Sequence, residues 1–156
     1  EIIRRVKRIK ACKGTEKQHV LVLLDLDKFK KINDQYGHPT GDRALVHISH
    51  QIRQHLIKGE LFGRLGGEEF LIVLTDTKPA EVQERVEELH YAISSAVFLS
   101  ENKKPLNVTA SFAYLATSNA LSDFDDLYSV LDQALYQAKS NGRNCIIDAY
   151  NEPIDS

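Results

Sequence analysis

Two stretches carry side chains that could do chemistry. In Arg64-Leu65-Gly66-Gly67-Glu68-Glu69-Phe70, paired glycines precede paired acids, and the apolar run Leu71-Ile72-Val73-Leu74 follows. Paired glycines between strand-like runs favour a tight two-residue turn, because they accept the positive φ it needs. Glu68 and Glu69 would then open the second strand and point to opposite faces, so that only one of them enters a given site. In the other stretch, Val20-Leu21-Val22-Leu23-Leu24 ends on Asp25-Leu26-Asp27. A carboxylate at the end of a buried strand is costly unless it is paired, hydrogen-bonded or bound to a metal. Taken alone, the hairpin reads equally well as a solvated loop tip with ordinary surface acids.

The elements that must position these acids follow from periodicity. Ile2, Ile3, Val6 and Ile9 give a helical stripe over residues 1–13, stopped by Gly14. Residues 20–24 are apolar on both faces, as in a central strand covered on both sides. A short helix follows from Lys28 to Asp34, then a loop at Gly37-His38-Pro39. Thr40-Gly41-Asp42 leads into a second helix with Leu45, Ile48, Ile52 and Leu56 on one face, stopped at Lys58-Gly59. The hairpin strands span about 61–65 and 68–75. Pro79 sits in the first turn of a third helix lined by Val82, Val86, Leu89 and Ile93. Residues 105–116 alternate as a strand. Phe124, Leu127, Leu131, Leu135 and Ala138 line a fourth helix, Asn141-Gly142 closes it, and a last strand runs from Asn144 to Ala149. Strands alternate with helices while the hairpin imposes antiparallel pairing. The expected fold is α/β (α+β), with a central mixed, mainly antiparallel sheet flanked by helices.

Composition narrows the function classes. The 156 residues suffice for one domain, and 42% hydrophobic with 27% charged residues is an ordinary globular balance. A net charge of −2 gives no bulk basic field for nucleic acid, although residues 1–17 carry seven Lys/Arg against two Glu and the tail carries Glu152 and Asp155. Cys12 and Cys145 lie in no CxxC or zinc spacing and read as free thiols. No apolar stretch approaches membrane-spanning length and no signal-peptide pattern opens the chain. The expected location is the cytoplasm, either free or as the cytoplasmic part of a membrane-anchored sensor, with no membrane contact by this segment.

Three blocks give the chain a specific resemblance. The first is Asp25-Leu26-Asp27-Lys28-Phe29-Lys30-Lys31-Ile32-Asn33-Asp34, continuing to Gly37-His38 and Gly41-Asp42. The second is Gly66-Gly67-Glu68-Glu69-Phe70, and the third is Ala134-Leu135-Tyr136-Gln137-Ala138-Lys139 with Gly142-Arg143-Asn144. In this order and spacing they resemble the GGDEF domain of diguanylate cyclases, in its GGEEF variant. The resemblance implies a sheet related to the nucleotide polymerase palm and the adenylyl cyclase core. It also implies condensation of two GTP into cyclic di-GMP, with release of two pyrophosphates. Residues 1–156 would form one catalytic domain of a longer protein with an N-terminal sensor or regulatory region. Catalysis would require a homodimer, because each monomer would hold one GTP.

The residues suit that reaction. A ribose 3′-hydroxyl must attack an α-phosphate, and protein assistance is mostly positioning and charge neutralisation. The implied cofactor is Mg²⁺, or Mn²⁺ in its place; Mg²⁺ takes oxygen ligands and few protein carboxylates. Asp25 and Glu68 could supply them if their strands are antiparallel neighbours. By similarity, the Leu26 carbonyl joins them, Glu68 also accepts the 3′-hydroxyl proton, and Glu69 supports metal or proton handling. Lys30 matches a lysine that steadies transition-state charge, and Lys28 and Phe29 would offer backbone N–H groups to phosphates at a helix start. Asn33, His38 and Asp42 match substrate contacts. A buried Asp42 carboxylate would accept from guanine N1–H and the N2 amino group, which adenine lacks. Lys139 and Arg143, four apart at a helix end, would reach terminal phosphates. The bland readings are a helix cap for Asp42, a loop hydrogen bond for His38 and favourable helix-terminal placement for Lys139 and Arg143. Arg64 and Asp27 read as structural.

The chain departs from the family pattern in two places. The RxxD inhibitory site is replaced by Ile57-Lys58-Gly59-Glu60, so product inhibition there is not expected. Ser111-Phe112-Ala113 stands where SIG is usual, which removes a glycine near the site. Two other functions compete. A non-catalytic GTP-binding regulatory module would need the same binding residues, and the intact GGEEF argues against it. A cyclase making an adenine-containing dinucleotide is disfavoured by Asn33 and Asp42.

Overall fold

The computed structural model describes residues 1–14 and 16–150; the acidic tail positions Glu152 and Asp155 lie outside the described residues. The elements run α1 (Ile2–Lys7), β1 (Gln18–Leu26), α2 (Phe29–Tyr36), α3 (His38–Arg53), β2 (Leu61–Gly66), β3 (Glu69–Thr77), α4 (Pro79–Ser94), β4 (Phe98–Leu99), β5 (Pro105–Leu106), β6 (Ala110–Thr117), α5 (Phe124–Ser140) and β7 (Ile146–Asp148). The main sheet has the order β2-β3-β1-β6-β7. Only β7 runs parallel to its neighbour, so the sheet is mixed and mainly antiparallel.

β1 is the central strand, and Val20 to Leu24 are fully buried. Val20, Val22 and Leu24 join a core with Ala44 and Ile48 of α3 and Val86 and Leu89 of α4. Leu21 and Leu23 join the opposite core with Val6 of α1 and Phe124, Leu131 and Leu135 of α5. A run apolar on both faces is what a strand sandwiched between two helical layers requires. The alternation continues one step beyond Leu24, so Asp25 comes out on the α5 side.

Several boundaries depart from the sequence reading. The first helix stops at Lys7, well short of residue 13, because the Ile9 carbonyl accepts from Leu121 N–H and Cys12 N–H donates to the Ser118 carbonyl. The chain there pairs with a loop and leaves the helical ladder. The expected loop at His38-Pro39 is the first turn of α3; Gly37, at φ 91°, makes the break alone, and Pro39 needs no N–H in a first turn. That helix ends at Arg53, before Lys58-Gly59. The strand expected over 105–116 is split, since Pro105-Leu106 pairs with Phe98-Leu99 in a separate ribbon and only Ala110 onward joins the main sheet.

The hairpin turn falls one residue later than the glycine pair suggests. Gly66 pairs with Glu69, Arg64 pairs with Phe70, and Leu65 is bulged out between them. Gly67 and Glu68 therefore form the turn, with Gly67 at φ 53°. Arg64 closes it, its Nε donating to the Gly67 carbonyl at 2.6 Å.

Candidate active site

The β1–β3 register sets Asp25 directly across from Glu69, and Leu26 N–H donates to the Glu68 carbonyl at 3.2 Å. The expectation that Glu68 and Glu69 diverge across a strand is corrected here. Glu68 lies in the turn, outside the strand's alternation, and both acids gather around Asp25. Lys139, in the last turn of α5, completes the group, its Nζ 2.5 Å from Asp25 Oδ2.

The electrostatics are those of crowded acids with one cation. Burial, then the neighbouring Asp25 charge, pushes the Glu68 carboxyl above the ordinary carboxylate range, and Lys139 pulls it partly back. Asp25 Oδ1 is buried and has no hydrogen-bond partner among the described residues. A buried carboxylate oxygen left in that state costs free energy that a bound cation would offset. The donor set therefore fits a hard divalent ion: two carboxylates and the strand-end backbone at Leu26, all oxygen.

Two further networks hold the acids in place. Glu69 accepts a hydrogen bond from the Tyr128 hydroxyl at 2.7 Å. Burial and that carboxylate push the Tyr128 phenol well up, so it stays a donor. Asp27 turns away from the group and accepts from Thr109 Oγ1 (2.7 Å), Ser111 Oγ (2.6 Å) and the Asn144 amide (2.9 Å). Sequence reasoning missed Tyr128, Thr109 and Ser111. The signal for Tyr128 was a hydroxyl four residues after Phe124 on the buried stripe of α5; for Thr109 and Ser111 there was none.

The remaining expected residues are spread around this centre. Lys28, at φ 56°, is the residue before α2, and Phe29 starts that helix with its ring in the core. Lys28, Lys31 and Arg143 line a cavity of about 280 Å³ together with Asp27 and Asn144. Arg143 lies beyond α5, in the left-handed region at φ 65°, so it does not share a helical face with Lys139. Lys30, His38 and Asp42 are exposed, and Asn33 is half-buried. The buried carboxylate envisaged for Asp42 is thus a solvent-facing one, and it makes no side-chain cap to α3.

Asn33 is held by the close approach of α2 and α3. A Cβ on Gly41 would lie 1.8 Å from Asn33 Oδ1 and 3.3 Å from the Phe29 ring. Gly41→Ala is expected to cost about 1–3 kcal/mol through overpacking. A lowered urea midpoint with unchanged slope checks it.

Carboxylates clustered at the end of a central strand, with a lysine beside them, have the chemistry to take a cation and phosphate oxygens together. The family described as "Diguanylate cyclase, GGDEF domain" matches residues 5–145, and the chain belongs to it. The response regulator PleD of Caulobacter vibrioides is 34% identical over 127 residues, covering 81% of this chain and 28% of PleD. A probable diguanylate cyclase, DgcT of Escherichia coli, is 31% identical over 151 residues, covering 89% and 31%. This chain spans less than a third of either relative's length. Among solved structures, diguanylate cyclase SiaD of Pseudomonas aeruginosa, in complex with its activator SiaC, superposes with a TM-score of 0.80 at 30% identity, over 94% of this chain and 55% of that one. The active GGEEF domain of a diguanylate cyclase from Vibrio cholerae gives 0.74 at 30% identity, over 87% and 85%.

Proposed function

We propose that this domain is a diguanylate cyclase that condenses two GTP into cyclic di-GMP across a homodimer of two facing sites. The observation that supports this most is the convergence of Asp25, Glu68 and Lys139 at the end of β1, with an unpartnered carboxylate oxygen at its centre. Asp25, Glu68 and the Leu26 carbonyl would hold Mg²⁺ or Mn²⁺, which when bound neutralises charge on the phosphate oxygens. Glu68 would also take the 3′-hydroxyl proton. Glu69, fixed by Tyr128, supplies negative charge beside it. Lys30 and Lys139 face the phosphates, with the backbone at Lys28 and Phe29 and the guanidinium of Arg143 toward the terminal ones. Asn33, His38 and Asp42 take the guanosine end.

The testing experiment is incubation with GTP and Mg²⁺, with products read by mass. Cyclic di-GMP from the wild type and none from Glu68→Ala is the expected result. GTP binding without turnover, even with dimerisation forced, would move the assignment to a regulatory GTP-binding module. We read the segment as one catalytic unit of a longer protein governed by a sensor region. No helix among the described residues is long and apolar enough to cross a membrane.

Product inhibition through the RxxD position is not expected. The Glu60 side chain is fully buried, clamped by Arg85 at 2.5 and 2.8 Å, and accepts from Ile57 N–H at 3.0 Å. Three of its four acceptor positions are taken and none of the side chain is exposed, so it cannot meet a ligand's guanine edge. Calorimetry with cyclic di-GMP should show no tight site outside the active site; tight binding that survives both Glu68→Ala and Asp42→Ala would contradict this.

A further inference from the structure

At the other end of β1, away from the acids, Cys12, His19 and Asp76 bring a sulfur, a ring nitrogen and a carboxylate oxygen within 4.8 Å of one another. We propose that these three residues form a second cation site, for a thiophilic divalent ion of the Zn²⁺ class, distinct from the catalytic centre. His19 and Asp25 are six residues apart on one strand, which places the two sites about 20 Å apart.

Three features hold these donors together. First, His19 is 3% exposed, and its Nε2 lies 2.8 Å from the Lys10 carbonyl. A carbonyl can only accept, so Nε2 carries the proton and Nδ1 presents its lone pair. A backbone carbonyl on the far ring nitrogen is the usual companion of a metal-binding histidine. The Asp76 N–H donates to Nδ1 over a long 3.4 Å, a contact that a bound ion would replace. Second, the sheet is irregular at this point. Gln18 pairs with Thr77 and Val20 with Leu74, so that Thr75 and Asp76 together oppose His19. Asp76 is held at φ 50°, a left-handed conformation uncommon for a residue with a side chain. A bulge of this kind re-aims a side chain, and here it turns a carboxylate toward the histidine. Third, the segment bearing Cys12 is fastened down: Cys12 N–H donates to the Ser118 carbonyl at 2.9 Å, and Leu121 N–H donates to the Ile9 carbonyl at 3.0 Å.

The donor set selects the ion. Thiolate, imidazole and carboxylate suit Zn²⁺ or Co²⁺ and disfavour Mg²⁺, which takes oxygen. Tetrahedral bonds would bring the donor atoms to roughly 3.3–3.8 Å from one another, so the present spacing needs a contraction of about 1 Å. The site opens on a cavity of about 610 Å³ that also includes Glu16, leaving room for a fourth ligand from water or that carboxylate. Lys10, Lys13 and Lys17 also line this cavity, and their long stems let the ammonium groups stay in water. Occupancy would tie the connector between α1 and β1 to the sheet.

The test is titration of the metal-free protein with Co²⁺, followed by Zn²⁺ displacement. A thiolate-to-cobalt charge-transfer band in the near ultraviolet, saturating at one equivalent, is expected for the wild type. Carboxylate-bound Co²⁺ at the catalytic acids cannot produce that band. Cys12→Ser should lose it and Cys145→Ser should keep it. Asp76→Asn, which tolerates the same backbone angle, should weaken binding at least tenfold. Zn²⁺ should raise the melting temperature of the wild type and not of Cys12→Ser. Absence of the band in wild type, or its persistence in Cys12→Ser, overturns the proposal. If Cys12→Ser does not fold, undiminished affinity in Asp76→Asn does so.

Discussion

Replacing Asp25 with Asn should reduce cyclic di-GMP formation at least about a thousandfold, the scale on which a preorganised charge at a reacting phosphate matters. The substitution preserves shape and replaces the charged partner of the Lys139 ammonium, 2.5 Å away, with a neutral amide. Stability should respond in the opposite sense at its neighbour. Burial and the Asp25 charge raise the Glu68 carboxyl, so the folded state favours its protonated form. A raised acid contributes no penalty below the unfolded-state value. The penalty grows as pH rises through the interval up to the folded-state value and is complete above it. At neutral pH Glu68→Gln should therefore melt higher than wild type in chelator, while being inactive. The gap should close as pH falls below the carboxylate range. Differential scanning across pH checks this; a variant that melts lower throughout would show that Glu68 stabilises the fold.

Asp27→Ala should cost about 2–4 kcal/mol, since a buried donor left without its acceptor costs about 1–3 kcal/mol. Thr109, Ser111 and the Asn144 amide would all lose their acceptor, and Ser111 is fully buried. Asp27→Asn should cost less. With its oxygen kept toward Thr109 and the Asn144 N–H, its amide nitrogen faces the Ser111 hydroxyl, which can rotate to accept. Urea denaturation of the two variants separates these outcomes, and equal losses would contradict the hub.

How much of this was legible in the sequence depended on range. The both-face apolar run at 20–24 and the stripes of α3, α4 and α5 are local patterns, and the structure reproduces them, while the ribbon of β4 and β5 lay outside the expected order. The bulge at Leu65 displaced the turn by one residue and moved Glu68 off the strand, which glycine chemistry alone could not reveal. The first helix was overextended because Ile9 continues the apolar stripe but is claimed by Leu121 instead. The hydrogen bond from Tyr128 to Glu69 joins residues 59 apart, and those that hold Asp27 span 82 to 117 residues. No spacing rule reaches that far. Cys12, His19 and Asp76 fit no ligand spacing for the same reason.

The contacts between residues 25–27 and 139–144 carry a consequence for biosynthesis. Asp25 meets its lysine and Asp27 its last donor only across separations of 114 and 117 residues. A nascent chain thus leaves these acids without those partners until α5 and the residues just after it, more than a hundred positions later, have been made. Until then it can gather its sheet around the central strand, but it cannot assemble the centre that would let it act on a nucleotide.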